Sequence, residues 1–226
     1  SAQRHTHFLD SQRMAAVLER SDFRFEDLKA GTCTVFLVLP PERLATHSRW
    51  LRLLVAQAIG ALARSTARPE KPVLLLLDEF AALGRLEPVE SAFGLMAGYG
   101  LQLWPILQDL HQLWSVYGER AGTFLSNAGL IQIFNVGDVE TASWVSKSIG
   151  SMTMAYQTAG TSVSKGPGPF LFSQTTTSTS TADHLARREL LTPDEVMRLD
   201  SSLEILLRQG QAPVAARKVR YYADPE

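Results

Sequence analysis

The sequence predicts an α/β domain in which a mostly parallel β-sheet carries helices on its faces, with a C-terminal β-hairpin on the sheet edge. Two observations predict it. Short apolar runs alternate with longer stretches of helical period, four times over between Thr32 and Ile149, and such alternation is the signature of a parallel sheet with crossover helices. The run Val73-Leu74-Leu75-Leu76-Leu77 is apolar at successive positions and bounded by Pro72 and two acids, which is the pattern of a strand buried on both faces.

The first 30 residues hold one helix around Met14 to Glu19. Thr32 to Leu39 reads as a strand stopped by Pro40-Pro41. From Glu42 to Arg64, Leu44, Trp50, Leu51, Leu54, Val55, Ala58, Ile59 and Leu62 recur at helical spacing, which makes a long amphipathic helix. Val73 to Leu77 is the next strand, Glu87 to Ala97 a helix, and Leu101 to Leu107 a third strand. Leu110 to Ser126 is helical but interrupted near Gly118, Leu130 to Phe134 is a fourth strand, and Asp138 caps a helix running to about Ile149.

The stretch from Gly150 to Thr181 differs. Thr158 to Ser164 and Thr175 to Thr181 are rich in Ser and Thr, with Gly166-Pro167-Gly168-Pro169 between them. Such composition buries too little apolar surface for a core of its own, so the segment is a loop, a linker or an exposed hairpin. Thr192-Pro193-Asp194-Glu195 then starts a helix, with an N-cap, a proline at the first helical position and an acid at the third. Leu203 to Arg208 and Val214 to Arg220 flank Gln209-Gly210-Gln211 as a hairpin.

The 226 residues include 22 basic and 23 acidic side chains, a net charge of −1. That length fits one large domain, or one domain with a small appendage, and it can bury about 70% of the surface of its unfolded form without staples. Cys33 stands alone, which excludes an internal disulfide framework and suits a reducing compartment. The balanced charge argues against a polybasic binder while leaving room for a local basic stripe. No run approaches the 18 or so apolar residues of a membrane span, and Ser1 to His5 lacks the apolar stretch of a signal peptide. The chain as it stands is expected to be soluble and cytoplasmic. Because it begins in mid-pattern and without methionine, it reads as a piece of something longer.

The chemistry concentrates at Leu74-Leu75-Leu76-Leu77-Asp78-Glu79-Phe80. Open α/β sheets bind ligands at the carboxyl ends of their strands, where loops diverge and helix N-termini point into the crevice. Two carboxylates there suit a nucleoside triphosphatase, with Asp78 holding Mg²⁺, usually through water, and Glu79 polarising the attacking water as base. The blander reading is that the pair only marks where a strand meets solvent. The next strand ends at Gln108, whose amide is placed to bond a γ-phosphate or the attacking water; its other reading is a cap of the following helix.

With these residues in place the chain resembles a known family, the type IV coupling proteins, the TraG/TraD group of conjugative DNA-pumping ATPases. The resemblance runs the length of the chain. It is carried by Phe8-Leu9-Asp10-Ser11-Gln12-Arg13-Met14, Leu76-Leu77-Asp78-Glu79-Phe80 with Leu83-Gly84, Gly98-Tyr99-Gly100-Leu101, Ile106-Leu107-Gln108-Asp109-Leu110, Gly137-Asp138-Val139-Glu140 and Arg188-Glu189-Leu190-Leu191-Thr192-Pro193-Asp194-Glu195-Val196. It implies a RecA-like P-loop NTPase motor, hexameric around a channel and anchored at the bacterial inner membrane, with its motor domain in the cytoplasm. Such a motor uses ATP and Mg²⁺ to move single-stranded DNA with its relaxase into a type IV secretion channel.

On this resemblance Asp78 and Glu79 match the second nucleotide motif and Gln108 the glutamine of the third. Residues 1–149 would be part of the motor core, 150–182 an insertion, and 183–226 the helix and hairpin completing the domain. The departure is large: no Gly-x-x-x-x-Gly-Lys-Ser/Thr loop occurs, and Lys165-Gly166 has the order reversed. The phosphate loop, a small all-helical domain and the anchor are therefore expected upstream of Ser1. Without the loop the acids have nothing to act on, so the chain alone is expected neither to bind ATP tightly nor to hydrolyse it.

An arginine acting from a neighbouring subunit is also implied. Arg85 and Arg120 lie closest to the motifs, each with a surface role as the alternative; some relatives carry an arginine just before the Gly-Tyr-Gly-like turn, where this chain has Met96-Ala97. His5, His7, His47 and His111 lack partners at metal-binding spacing. Trp50, Trp104, Trp114 and Trp144 read as core or subunit-contact residues, and Arg187-Arg188 and Arg217-Lys218 with Arg220 as short basic clusters on a solvated face. The competing function is a non-catalytic RecA-like docking module that recruits secretion substrates. A dinucleotide-binding oxidoreductase is excluded because no Gly-x-Gly-x-x-Gly follows any strand.

Overall fold

The computed structural model describes residues 6–167 and 173–223. The chain divides into two compact units, Ser1–Ile131 and Gln132–Glu226. Gly168 and Pro169 of the Gly166-Pro167-Gly168-Pro169 stretch lie outside the described residues, as does His5.

In the first unit, α1 (Gln12–Leu18) precedes the 24-residue α2 (Pro41–Arg64), which has proline in its first turn. The apolar period of α2 buries Trp50, Val55, Ala58, Ile59, Ala61 and Leu62. Its last turn is closed from outside: buried Lys29 donates its Nζ to Leu62 O at 2.8 Å and Ser65 O at 3.0 Å. A cation among the orphan carbonyls of a long helix also meets the negative end of its dipole.

Strands β1 (Val73–Leu77) and β2 (Leu101–Pro105) pair in parallel from Val73↔Leu101 to Leu77↔Pro105. Between them lies α3 (Glu87–Leu95), and after β2 come α4 (Leu110–Tyr117) and α5 (Ala121–Asn127). The predicted break at Gly118 is real: its φ of 55° ends α4, and a 3₁₀ turn over Gly118–Arg120 leads into α5. One face of the β1–β2 pair packs on a core that includes Ile59, Leu62, Phe80, Val89, Tyr117 and Phe124. Within it Phe80 stacks on Tyr117 and Phe124 tilts against both, with ring centroids 4.5 to 5.9 Å apart.

Two expectations for this unit need correction. β1 is not buried on both faces: Leu77 is buried, while Leu74 and Leu76 are 47% and 52% exposed. The continuous leucine run fits two buried faces, but only one face of β1 meets this core. Residues 32–39 belong to no strand. They alternate as a strand would, Val35, Leu37 and Leu39 half-buried and Phe36 and Val38 exposed, yet no described strand forms a ladder with them.

In the second unit, α6 (Val139–Ile149) is capped as predicted, Asp138 Oδ1 accepting from Thr141 N at 2.7 Å. The Ser/Thr-rich segment takes the hairpin form, with β4 (Ser151–Pro167) antiparallel to β5 (Ser173–Glu189). Next, α7 (Pro193–Met197) carries the predicted capping box: Glu195 N donates to Thr192 Oγ1, and Thr192 N donates to Glu195 Oε2 at 2.8 Å. The predicted C-terminal hairpin forms from β6 (Leu203–Arg208) and β7 (Val214–Arg217). It joins β3 (Leu130–Ile133) in a sheet of order β3-β6-β7, so β3 does not pair with β1 or β2 among the described strands. An apolar run specifies a strand but not its neighbour, and here the hairpin takes that place. Ala142, Val145, Ser146, Val196 and Ile205 form the buried interior of this unit.

Candidate functional site

The acids stand where β1 ends. Pairing with the next strand continues past the strand ends, because Ile106 N donates to Leu77 O at 3.0 Å and Phe80 N to Ile106 O at 3.1 Å. These two bonds clamp the turn at residues 78–80 against the segment leading to Gln108. Phe80, 1% exposed, anchors the turn in the aromatic core. Asp78 and Glu79 are left facing solvent.

Glu79 adopts a left-handed backbone, φ 48° and ψ 45°. That conformation costs a non-glycine residue about 1 kcal/mol or more. It is supported by Glu79 N donating to Asp78 Oδ1 at 3.1 Å and by Ala82 N donating to Glu79 O at 2.8 Å. The kink turns Glu79 toward the end of β2, where Gln108 Nε2 donates to Oε1 at 3.3 Å and Oε2 at 3.4 Å. The following helix is capped by another residue: Gln112 N donates to Asp109 Oδ1 at 2.7 Å. Gln108 is thereby free of the capping role that the sequence left open for it.

The sequence candidates thus fall into two groups. Asp78, Glu79 and Gln108 come together. Arg85 and Arg120 instead meet at Glu90 of α3, Arg120 donating to Oε1 and Arg85 Nη2 lying 3.5 Å from Oε2. The hydrogen bond from Arg120 is the main reason the Glu90 carboxyl sits below its ordinary range, and it raises the Arg120 guanidinium in turn.

Sequence reasoning missed Arg52, on α2. Its guanidinium donates to Leu83 O and, at 2.8 Å, to Arg85 O, which pins the chain directly after the site. Gly84, at φ 63°, passes beside it; a Cβ there would lie 3.1 Å from Arg52 Nη1. Nothing local marks Arg52, since its acceptors lie 31 and 33 residues away.

Two carboxylates and a neutral amide on an open rim make a hard, oxygen-rich donor set, which fits a hydrated Mg²⁺ that also carries phosphate oxygens. No group of three or more His, Cys, Asp or Glu side chains gathers to hold a metal unaided among the described residues. His7 pairs with Asp10 at 2.8 Å and His47 with Thr46. In the second unit an open concavity is lined by Ser146, Lys147, Gly150, Ser151, Arg187 and Glu189, and none of the three site residues borders it. No described helix is long and apolar enough to cross a membrane.

A parallel strand pair delivers two adjacent acids beside a neutral amide in an α/β protein, and comparison with known proteins gives its family. The family model described as "Type IV secretory system Conjugative DNA transfer" matches residues 1–226, and the chain belongs to that family. It is 37% identical over 212 residues to the protein VirD4 of Rhizobium rhizogenes, covering 92% of this chain and 30% of that protein. To the probable conjugal transfer protein TraG of Sinorhizobium fredii it is 27% identical over 224 residues, 98% of this chain and 34% of the relative. The chain therefore spans about a third of the length of these relatives.

Among solved structures, the unbound conjugative coupling protein TrwBdeltaN70 superposes with a TM-score of 0.66 at 16% identity, over 87% of this chain and 43% of that one. TrwB in complex with the ATP analogue ADPNP superposes equally, with a TM-score of 0.66 over 90% of this chain and 45% of that one. The expected RecA-like α/β fold is the fold shared with these proteins.

Proposed function

We propose that this chain is the acid-bearing part of the motor domain of a type IV coupling ATPase, which links ATP hydrolysis to the transfer of single-stranded DNA and its relaxase into a secretion channel. The observation that carries the reading is the contact between Glu79 and Gln108 at the ends of two parallel strands. In this role Asp78 holds Mg²⁺ through water, and Glu79 accepts a proton from the attacking water at a carboxylate oxygen. The amide of Gln108 orients that water or the terminal phosphate. Bound Mg²⁺–ATP would supply the phosphoryl group whose transfer to water drives the motor.

Family membership and the names of the relatives support DNA transfer as the work done. A hexameric ring, an inner-membrane anchor and an arginine supplied across a subunit boundary belong to the same reading of the whole protein. Such an arginine is worth about 10³ to 10⁵ in rate. Arg85 and Arg120 remain its candidates, and either must leave Glu90 to act. The 226 residues contain no phosphate loop, so the site needs that loop from a longer polypeptide.

The test measures DNA-stimulated phosphate release by a polypeptide that joins a phosphate loop to this chain. Glu79→Gln is expected to lower turnover by about 10² or more; unchanged turnover would remove Glu79 as the base. The 226-residue chain alone should release no phosphate at motor-like rates, and release at such rates would overturn the need for a supplied loop.

A further inference from the structure

The ribbon β4–β5 is hard to account for within one chain. A two-stranded hairpin is marginally stable in water unless a third strand or a packed face supports it. Here the strands pair over 17 residues each, a length of about 55 Å. Every described side chain from Met152 to Val163 and from Thr177 to Arg188 is exposed, on both faces of the ribbon. No core supports it along that length, and the outer edge of each strand presents the N–H and C=O of every second residue to solvent.

Native proteins guard such edges with lysine, proline or a bulge, because an open edge templates another strand. This ribbon has none of the three over the paired stretches 158–164 and 176–182, whereas Lys165 and Pro167 follow in β4 and Asp183, Arg187, Arg188 and Glu189 charge the last part of β5. Neither Ser151–Ser164 nor Ser173–Ala182 contains a charged residue or a proline. The register runs one-to-one from Ser151↔Glu189 to Pro167↔Ser173, without a bulge. Both segments are rich in Thr and Ser, and residues 175–181 are made of nothing else. The hydroxyls of Ser162 and Ser178 show how such side chains satisfy one another across a ladder, 2.8 Å apart.

We propose that the ribbon is an assembly element, in which the outer edge of β5 in one copy of this chain pairs with the outer edge of β4 in a second copy. Repeating an antiparallel hairpin side by side sets β5 of one copy antiparallel to β4 of the next, so the new ladder repeats the Ser/Thr pairs of the existing one. The chemistry of the edges favours this occupant. Over the uncharged stretch there is nothing to select a charged partner, and single-stranded nucleic acid would want basic side chains, which the described ribbon carries only at Lys165, Arg187 and Arg188, outside that stretch. Because the pairing uses two different edges it is head-to-tail, and it leaves open edges until a ring closes. The proposal rests on the ring of the motor reading only for the fact that copies meet; it names the surface, and the ribbon variants below separate it from a ring held together elsewhere.

Sedimentation and amide hydrogen exchange of the 226-residue chain over about a hundred-fold concentration range test it. Mass is expected to rise with concentration, with protection appearing in residues 158–163 and 177–182. Thr158→Lys and Thr179→Lys, one on each strand, should each weaken self-association about tenfold or more, whereas Leu76→Lys on β1 should leave it unchanged. Constant mass with unprotected ribbon amides would overturn the proposal. So would association that ignores both ribbon lysines, or ribbon protection that appears only when single-stranded DNA is added.

Discussion

Gln108 reaches from beyond the end of β2 and donates its side-chain amide to both carboxylate oxygens of Glu79, at 3.3 and 3.4 Å. Both side chains are exposed, so the contact adds little to stability. Its consequence is positional: a neutral amide and a base are held at one point by backbone bonds that tie residues 77 and 80 to Ile106.

If that contact serves hydrolysis, Gln108→Ala in the loop-bearing polypeptide should lower kcat by about 10-fold to 100-fold while nucleotide affinity changes less than about threefold. Thermal unfolding should move little. Steady-state phosphate release beside equilibrium nucleotide binding checks this, and an unchanged kcat would leave Gln108 without a role in turnover.

Lys29 yields a stability prediction. It is 6% exposed and donates to two carbonyls at the end of α2. Lys29→Met keeps most of the stem packing but strands those carbonyls, at a cost of about 1.5–3 kcal/mol. Urea unfolding of the 226-residue chain should show a lower midpoint at unchanged slope.

The capping box of α7 yields a pH prediction. Glu195 is held below the ordinary carboxylate range first by the backbone N–H of Thr192, then by the Thr192 hydroxyl and by Arg188. A carboxyl lowered in the folded state adds stability that is fully present above its unfolded value, about 4.3, and is lost as pH falls through the lowered folded value. Glu195→Gln does not titrate. The stability difference between the native chain and this variant should be flat above about pH 5.5 and shrink on acidification below about pH 4.5; denaturant midpoints measured at each pH check it. A difference that grew on acidification would contradict the assignment.

Much of the fold was legible because its signals are local. The period of α2, the caps at Asp138 and Thr192, the break at Gly118 and the turn between β6 and β7 each depend on residues within a few positions of one another. The misreadings have a different origin. Whether Leu74 and Leu76 are covered depends on what packs on the second face of β1. Whether Val35 to Leu39 becomes a strand depends on a ladder partner, and β3 finds its neighbour in β6, more than 70 residues further along the chain.

The site divides in the same way. Two acids after a leucine run, and a glutamine after the following strand, can be read from residue order, since strand ends in α/β sheets collect ligands. That Glu79 turns left-handed toward Gln108, that Asp109 rather than Gln108 caps α4, and that Arg52 pins the next turn are decided in three dimensions. So is the meeting of Arg85 and Arg120 at Glu90. The order of residues determined the elements and the candidate chemistry, because period, caps and turns act over a few residues at a time. Only the tertiary structure decided which candidates touch, because contacts between residues about 30 positions apart are selected by burial and hydrogen bonding in the assembled core, where sequence neighbours carry no record of the choice.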